Sequence, residues 1–121
     1  CLRDPTRGGL ASAVNEIATH ARVGMTLFES EMPIREEVRG ACEMLGLDPL
    51  YVANEGKLIA FVADRDAPTV LDAMRRHPLG RDAVRVGEVT DVRRGTVTMR
   101  TPFGTSRIVD MLPGDQLPRI C

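Results

Sequence analysis

The stretch TRGGLASAVNEIATHARVGMTLFE, residues 6–29, decides the fold class because it changes from a helical to a strand pattern within one short segment. Between Thr6 and Arg22 apolar side chains recur every three or four residues, which is the spacing of one buried helix face. Gly24 ends that helix, and residues 25–29 alternate in the manner of a short strand. A helix leading directly into a strand indicates layered α/β structure.

Downstream, two further helices and a buried strand are predicted. The second helix runs from Pro33 to Leu45, with Cys42 on its apolar stripe. Residues 58–62 are an unbroken apolar run, typical of a central strand covered on both faces. Asp66 and Pro68 begin a third helix. Its inward face would comprise Ala67, Val70, Leu71 and Met74.

The remainder predicts a meander of three strands, because turn signals separate apolar segments at 84–92, 96–101 and 105–109. The fold class that follows is α/β (α+β), a layered sandwich with helices packed on a mixed, largely antiparallel sheet. One domain would span residues 1–110. Residues 111–121 contain two prolines and no usable period, so they predict a flexible tail.

Composition excludes several classes of partner. The 16 basic and 17 acidic residues leave a net charge of -1, so no basic excess exists to bind nucleic acid. No apolar run approaches the roughly 20 residues of a membrane helix, and the cytoplasm is the default compartment. The 3 cysteines and 2 histidines lack metal-ligand spacing, so no metal site is expected. Because the chain does not start with Met, we expect it to be part of a longer polypeptide.

The first candidate site is a diglycine loop, Asp4-Pro5-Thr6-Arg7-Gly8-Gly9, at the start of the first helix. Unpaired backbone N–H groups and the helix dipole attract anions there, and Arg7 could add a bidentate contact to a phosphate. The alternative is a helix cap supplied by Asp4 or Thr6, with the glycines allowing tight packing. On the local sequence alone, that alternative is favoured.

The second candidate is Asn54-Glu55-Gly56, immediately before the apolar run at 58–62. A carboxylate held against apolar surface can have a raised pKa and accept a proton from a substrate amide. Glu55 is therefore a candidate base. The alternative, favoured on sequence alone, is a solvated turn residue.

The third candidate is Cys121, the last residue. A terminal cysteine after a Pro- and Gly-containing segment has no downstream neighbours to bury it, so we expect an exposed carrier thiol that moves between sites. The adjacent carboxylate disfavours the thiolate, and a partner's active site would have to activate the sulfur. The alternative is a frayed end with an incidental cysteine. Cys42 and Cys1 are expected to be inert.

Three motifs together resemble one known family: RDPTRGGLA at residues 3–11, ANEGK at 53–57 and LPRIC at 117–121. In combination they are similar to the C-terminal domain of the hydrogenase maturation factor HypE. That family belongs to the ATP-dependent synthetases related to aminoimidazole ribonucleotide synthetase (PurM) and selenophosphate synthetase. The resemblance spans the whole chain and implies a fold like the C-terminal domain of PurM.

The resemblance implies a carbamoyl dehydratase that builds the cyanide ligands of [NiFe]-hydrogenase. The transferase HypF would load a carbamoyl group on Cys121, and ATP-dependent dehydration, assisted by Glu55, would leave a thiocyanate. The cyanide would pass to iron held by HypC and HypD. The intact protein would form a homodimer.

ATP and magnesium would be bound mainly by an N-terminal domain that this chain lacks, so the fragment alone should be inactive. Residues facing the ATP phosphates would be Asp4, Thr6, Arg7, Gly8, Gly9 and Asn54. Two rival functions stay open. A related synthetase acting on a free small-molecule amide would not need Cys121, and a non-catalytic docking module would need neither the thiol nor ATP.

Overall fold

A computed structural model describes residues 1–111, and it confirms the predicted fold class: helices pack on a mixed, largely antiparallel sheet. The chain order of its helices and strands is β1 (Leu2–Arg3), α1 (Gly9–Ala21), β2 (Gly24–Phe28), α2 (Glu36–Leu45), β3 (Ile59–Ala60), α3 (Ala67–Arg76), β4 (Gly87–Thr90), β5 (Val97–Arg100) and β6 (Ser106–Ile108). No helix in this part of the chain has the length and apolar character needed to cross a membrane.

The larger sheet has the strand order β4-β2-β5-β6. Strand β2 runs antiparallel to β4 and parallel to β5, while β5 and β6 form an antiparallel hairpin. The predicted three-stranded meander is therefore wrong, because β2 lies between β4 and β5. Turn signals alone could not reveal this insertion. It aligns Met25 with Val97 and Leu27 with Met99, and all four side chains are buried.

Helix α1 lies against β2 and β5 and supplies the other side of the core. The buried cluster contains Ala11, Val14, Ala18, Met25, Leu27, Met32, Leu50, Val97, Met99 and Val109. The polar residue Asn15 is buried beside this cluster. Its Nδ2 donates to the carbonyl oxygens of Ala11 at 2.9 Å and Val109 at 2.8 Å, so the end of the sheet is bonded to the middle of α1.

The predicted central strand at residues 58–62 is the main error of the sequence analysis. Only Ile59–Ala60 forms a strand, β3, and it pairs with β1 in a separate two-stranded sheet. Leu58 is 55% exposed and Val62 is 44% exposed, whereas Phe61 packs against the core. The run is covered on one face, not on both. Its unbroken apolar pattern therefore does not indicate a strand in the middle of a sheet.

Two of the three helices begin later than predicted, α3 begins at Ala67 as predicted, and two of the three face the expected way. Helix α1 starts at Gly9, and α2 starts at Glu36 rather than at Pro33. The predicted inward face of α3 is confirmed, because its four apolar residues are the half-buried ones of that helix. In α2 only Cys42 is buried, and Val38 and Leu45 on the same predicted stripe are exposed.

Candidate functional site

The structure brings the diglycine loop and the Asn54-Glu55-Gly56 turn together. Strands β1 and β3 form a ribbon that starts with two backbone bonds between Cys1 and Phe61. At the other end of this ribbon, the backbone N–H of Asn54 donates to the carbonyl of Pro5 at 3.1 Å. An ion pair between Arg3 and Glu16 also joins β1 to α1. The two motifs, which the sequence treats as separate sites, therefore border a single region.

The two glycines of the loop serve different purposes, although both have positive φ angles, 61° at Gly8 and 64° at Gly9. Gly8 is the N-cap of α1 and receives no side-chain cap, so the predicted capping by Asp4 or Thr6 is wrong. At Gly9 an added Cβ would lie 2.3 Å from the carbonyl oxygen of Leu50. Tight packing, the other half of that alternative, is confirmed at Gly9.

The electrostatics of the loop are compatible with an anion. The start of α1 has no side-chain cap and no acidic residue in its first turn. Arg7 is exposed, and no carboxylate within residues 1–111 pairs with its guanidinium. Free helix N–H groups beside an available guanidinium form the chemical setting that phosphate groups prefer. This arrangement supports the phosphate-facing interpretation.

The second motif folds as a turn, as the sequence predicted. Its Asn54 side chain is held in place, because Oδ1 accepts a hydrogen bond from Lys57 Nζ at 3.0 Å. Gly56 has a φ of 71°, and Glu55 is exposed beside it. The assignment of Glu55 as a base stays a prediction.

Tyr51, which the sequence analysis missed, links the loop to the end of the described chain. It is the last residue of a 3₁₀ turn, Pro49–Tyr51. The backbone carbonyl carbon of Tyr51 would lie 2.9 Å from a Cβ added at Gly9. Its hydroxyl donates to the carbonyl of Asp110 at 2.8 Å. Tyr51 thus connects the turn that packs on Gly9 with Asp110, the residue before the last described one.

Charged side chains support the same turn. Asp48 Oδ1 accepts the backbone N–H of Leu50 at 2.9 Å, and Asp48 Oδ2 lies 3.3 Å from Arg107 Nη2 on β6. The only sequence signal for this arrangement is the Asp48-Pro49 pair, which predicts a turn but not its contacts.

We expect the phenol of Tyr51 to titrate at an unusually high pH. Burial raises the pKa of Tyr51 above its ordinary value of 10.0, and the Asp48 carboxylate adds to this shift. The folded chain thus holds the phenolic proton more tightly than the unfolded chain does. The resulting stabilisation is complete below pH 10 and is lost as the pH rises through the folded pKa.

This titration can be measured directly, because the chain contains 1 tyrosine. Tyrosinate absorbance of the 121-residue chain should give a midpoint above 10.0 in buffer and a midpoint near 10.0 in concentrated urea. Identical midpoints in the two solvents would show that folding does not raise the pKa of Tyr51.

The remaining candidates divide between the described and undescribed residues. Cys121 lies outside the described residues. Cys42 is buried, as predicted, and Cys1 is exposed. Within residues 1–111, no group of three or more His, Cys, Asp or Glu side chains is arranged to hold a metal ion.

Comparison with known proteins identifies the domain. The family model described as AIR synthase related protein, C-terminal domain, matches residues 1–100. The chain belongs to this family. Over 120 residues the AIR synthase related domain is 61% identical to the carbamoyl dehydratase HypE of Cupriavidus necator, a match covering 99% of this chain and 34% of that protein.

Two solved structures extend the comparison. The crystal structure of hydrogenase maturation protein HypE in complex with ATP matches with a TM-score of 0.89 and 47% identity, covering 99% of this chain and 37% of that one. The crystal structure of a HypE–HypF complex matches with a TM-score of 0.85 and 46% identity, covering 90% and 35%. The HypE resemblance drawn from the three motifs is confirmed. The AIR synthase related domain spans about a third of the length of these relatives.

Proposed function

We propose that this chain is the C-terminal domain of a HypE-type carbamoyl dehydratase that converts a carbamoyl group on Cys121 into a thiocyanate at the cost of ATP. The observation that carries the proposal is the 61% identity, over 99% of the chain, to a protein named carbamoyl dehydratase HypE. The same comparison disfavours the two rivals, a synthetase for free amides and a non-catalytic docking module.

The chemistry assigns a task to each motif. The carbamoyl group is attached through its carbon to Cys121 Sγ, and its oxygen takes a phosphoryl group from ATP. Loss of that oxygen as phosphate and of both nitrogen protons leaves S–C≡N. Glu55 would accept a proton, and its exposure in a turn bordering the glycine loop allows the carbamoyl nitrogen to approach it.

The glycine loop would face the phosphates of ATP. The free N–H groups at the start of α1 and the guanidinium of Arg7 would offset the negative charge that develops during phosphoryl transfer. The other phosphate-facing residues proposed here are Asp4, Thr6, Gly8, Gly9 and Asn54. ATP and magnesium would be held mainly by an N-terminal domain outside this chain, and without that domain we expect no dehydration.

Residues 1–110 would form the domain, and residues 111–121 would form a tail that carries the thiol. A tail of this length can extend roughly 35–40 Å, which is enough to reach both the glycine loop and the pocket of a bound partner. Its origin at Asp110, bonded to Tyr51 beside that loop, supports this role.

The proposed partners follow the order of the chemistry. HypF, which forms a complex with HypE in one matched structure, would load the carbamoyl group. HypC and HypD would receive the cyanide on the iron that they hold. We further propose that the intact protein is a cytoplasmic homodimer.

Intact-mass analysis of the full-length protein tests this proposal. Incubation with carbamoyl phosphate, HypF and ATP should add one carbamoyl group, after which one water should be lost. Peptide mapping should place both changes on Cys121. A carbamoyl adduct on any other residue, or an adduct that persists without loss of water, would refute the proposed chemistry.

A further inference from the structure

Three arginines, Arg35, Arg75 and Arg81, line an open cleft of about 500 Å³, which we call the arginine cleft. They come from three different places in the fold. Arg35 immediately precedes α2, Arg75 lies in the last turn of α3, and Arg81 follows a 3₁₀ turn, Pro78–Gly80. None of the described residues that line the cleft belongs to the glycine loop or to the Asn54-Glu55-Gly56 turn.

The positive charge of the cleft is not cancelled by carboxylates. Within residues 1–111 none of the three guanidinium groups forms an ion pair, even though acidic residues adjoin them in the sequence. Asp72 on α3 pairs with Arg76, the neighbour of the cleft arginine on that helix. Among the described lining residues Asp82 is the one carboxylate. The lining side chains therefore carry three positive charges and one negative charge, in a chain whose net charge is -1.

The elements that carry Arg75 and Arg81 are fixed relative to each other. Arg75 Nε donates to the carbonyl of Ala83 at 2.8 Å, and the terminal NH₂ groups of this side chain have no partner within residues 1–111. A Cβ added at Gly80 would lie 2.1 Å from the carbonyl oxygen of Met74, so the turn before Arg81 packs directly on the end of α3. Donors held in place before a ligand arrives lose less conformational entropy when it binds.

The lining indicates the class of ligand. A guanidinium group binds a carboxylate or a phosphate through two parallel N–H donors. The cleft also has an apolar part, to which Ile34 and Val84 contribute, and its volume is typical of sites for small organic molecules. A bare inorganic anion would contact the arginines but leave this apolar part uncovered.

We propose that the arginine cleft is a binding site for a small organic anion that carries at least two negative charges as carboxylate or phosphate groups. Its acidic groups bind the guanidinium groups of Arg35, Arg75 and Arg81, and its apolar part contacts Ile34 and Val84. This inference goes beyond the proposed function, because it involves neither ATP nor Cys121.

Calorimetric titration of the intact protein at low ionic strength tests this site. The probes are trimesate, a benzene ring with three carboxylates, and phenyl phosphate. A nonhydrolysable ATP analogue at saturating concentration keeps both probes out of an ATP site. At least one probe should bind once per chain, and the tighter of the two identifies carboxylate or phosphate as the preferred group.

Arg81→Gln and Arg35→Gln, made separately, should each weaken binding of that probe by about 10-fold, because each removes charge-assisted hydrogen bonds. Neither side chain forms a hydrogen bond or an ion pair within residues 1–111, so neither substitution should affect folding. Arg22→Gln is the matched control. Arg22 is also exposed and lacks an ion pair in the described part of the chain, but it does not line the cleft.

The control should bind the probe as tightly as the unsubstituted protein does. An equal loss in Arg22→Gln would overturn the proposal, because binding would then depend only on the overall charge. Failure of both probes to bind would overturn it as well. Binding of polyglutamate but of neither probe would also overturn it, because the cleft would then accept an acidic protein segment rather than a small molecule.

Discussion

Cys121→Ser in the intact protein is expected to abolish thiocyanate formation completely. The carbamoyl acceptor must be a nucleophile that a partner's active site can ionise, and a cysteine thiol has a pKa near 8.5, whereas a serine hydroxyl is far less acidic. Mass analysis after incubation with carbamoyl phosphate, HypF and ATP should show an unmodified protein.

Cys1→Ser is the matched control, because Cys1 is an exposed thiol far from Cys121 in the sequence. That variant should be loaded and dehydrated normally. If Cys121→Ser supported hydrogenase maturation, the carrier role would be wrong. Retained turnover on a free amide would then favour the rival synthetase, and retained partner binding without turnover would favour a docking module.

Gly9→Ala is expected to destabilise the domain by about 3–5 kcal/mol, which is large for a single added methyl group. The residue has a positive φ of 64°, which costs any L side chain energy. The added Cβ would also lie 2.3 Å from the carbonyl oxygen of Leu50 and 2.7 Å from that of Val52. The clash with these two carbonyl oxygens accounts for most of the loss, because backbone atoms in a packed turn cannot move aside as a flexible side chain can.

Gly46→Ala separates the cost of the positive φ from the cost of the steric clash. Gly46 has a similar φ of 67° but nothing within 4 Å of an added Cβ, so it should lose only about 1–2 kcal/mol. Urea denaturation of the 121-residue chain gives both free energies of unfolding. Equal losses in the two variants would show that α1 does not press on the turn at 50–52 as described.

Local patterns predicted local structure well. The apolar spacing of α1 and α3 predicted the inward face of each helix, and the turn signal between the segments at 96–101 and 105–109 predicted the β5–β6 hairpin. The spacing of a helix's own residues defines its apolar face, and the two strands of the hairpin are a few residues apart, so propensity and periodicity carry the necessary information.

Long-range pairing was not predictable in the same way. The position of β2 between β4 and β5 depends on which apolar faces pack together, and no turn signal reports that choice. The run at 58–62 misled because its partner, β1, is a two-residue strand with no strand signal of its own. Periodicity also failed for α2, since an apolar stripe does not specify whether another element covers it.

In the candidate site, too, the local features were predicted and the long-range contacts were not. The three motifs pointed to the correct family, and the glycine loop and the Asn54 turn were recognised as separate features. Their contact through Asn54 and Pro5 required the ribbon of β1 and β3, which the sequence did not suggest. Tyr51 was missed because the contact that singles it out is one hydrogen bond to Asp110, a residue 59 positions later.

The parallel pairing of β2 with β5 has a consequence for how the domain forms during synthesis. Thr26 and Thr98 lie side by side in the sheet although they are 72 positions apart in the chain. A growing polypeptide that has passed β2 thus carries an apolar strand without its strand partners, β4 and β5, until most of the domain has been translated. Contacts of such long range fold slowly, and the waiting strand is open to mispairing. Chaperone dependence in the cell should accordingly be greatest for nascent chains that end between residues 30 and 95.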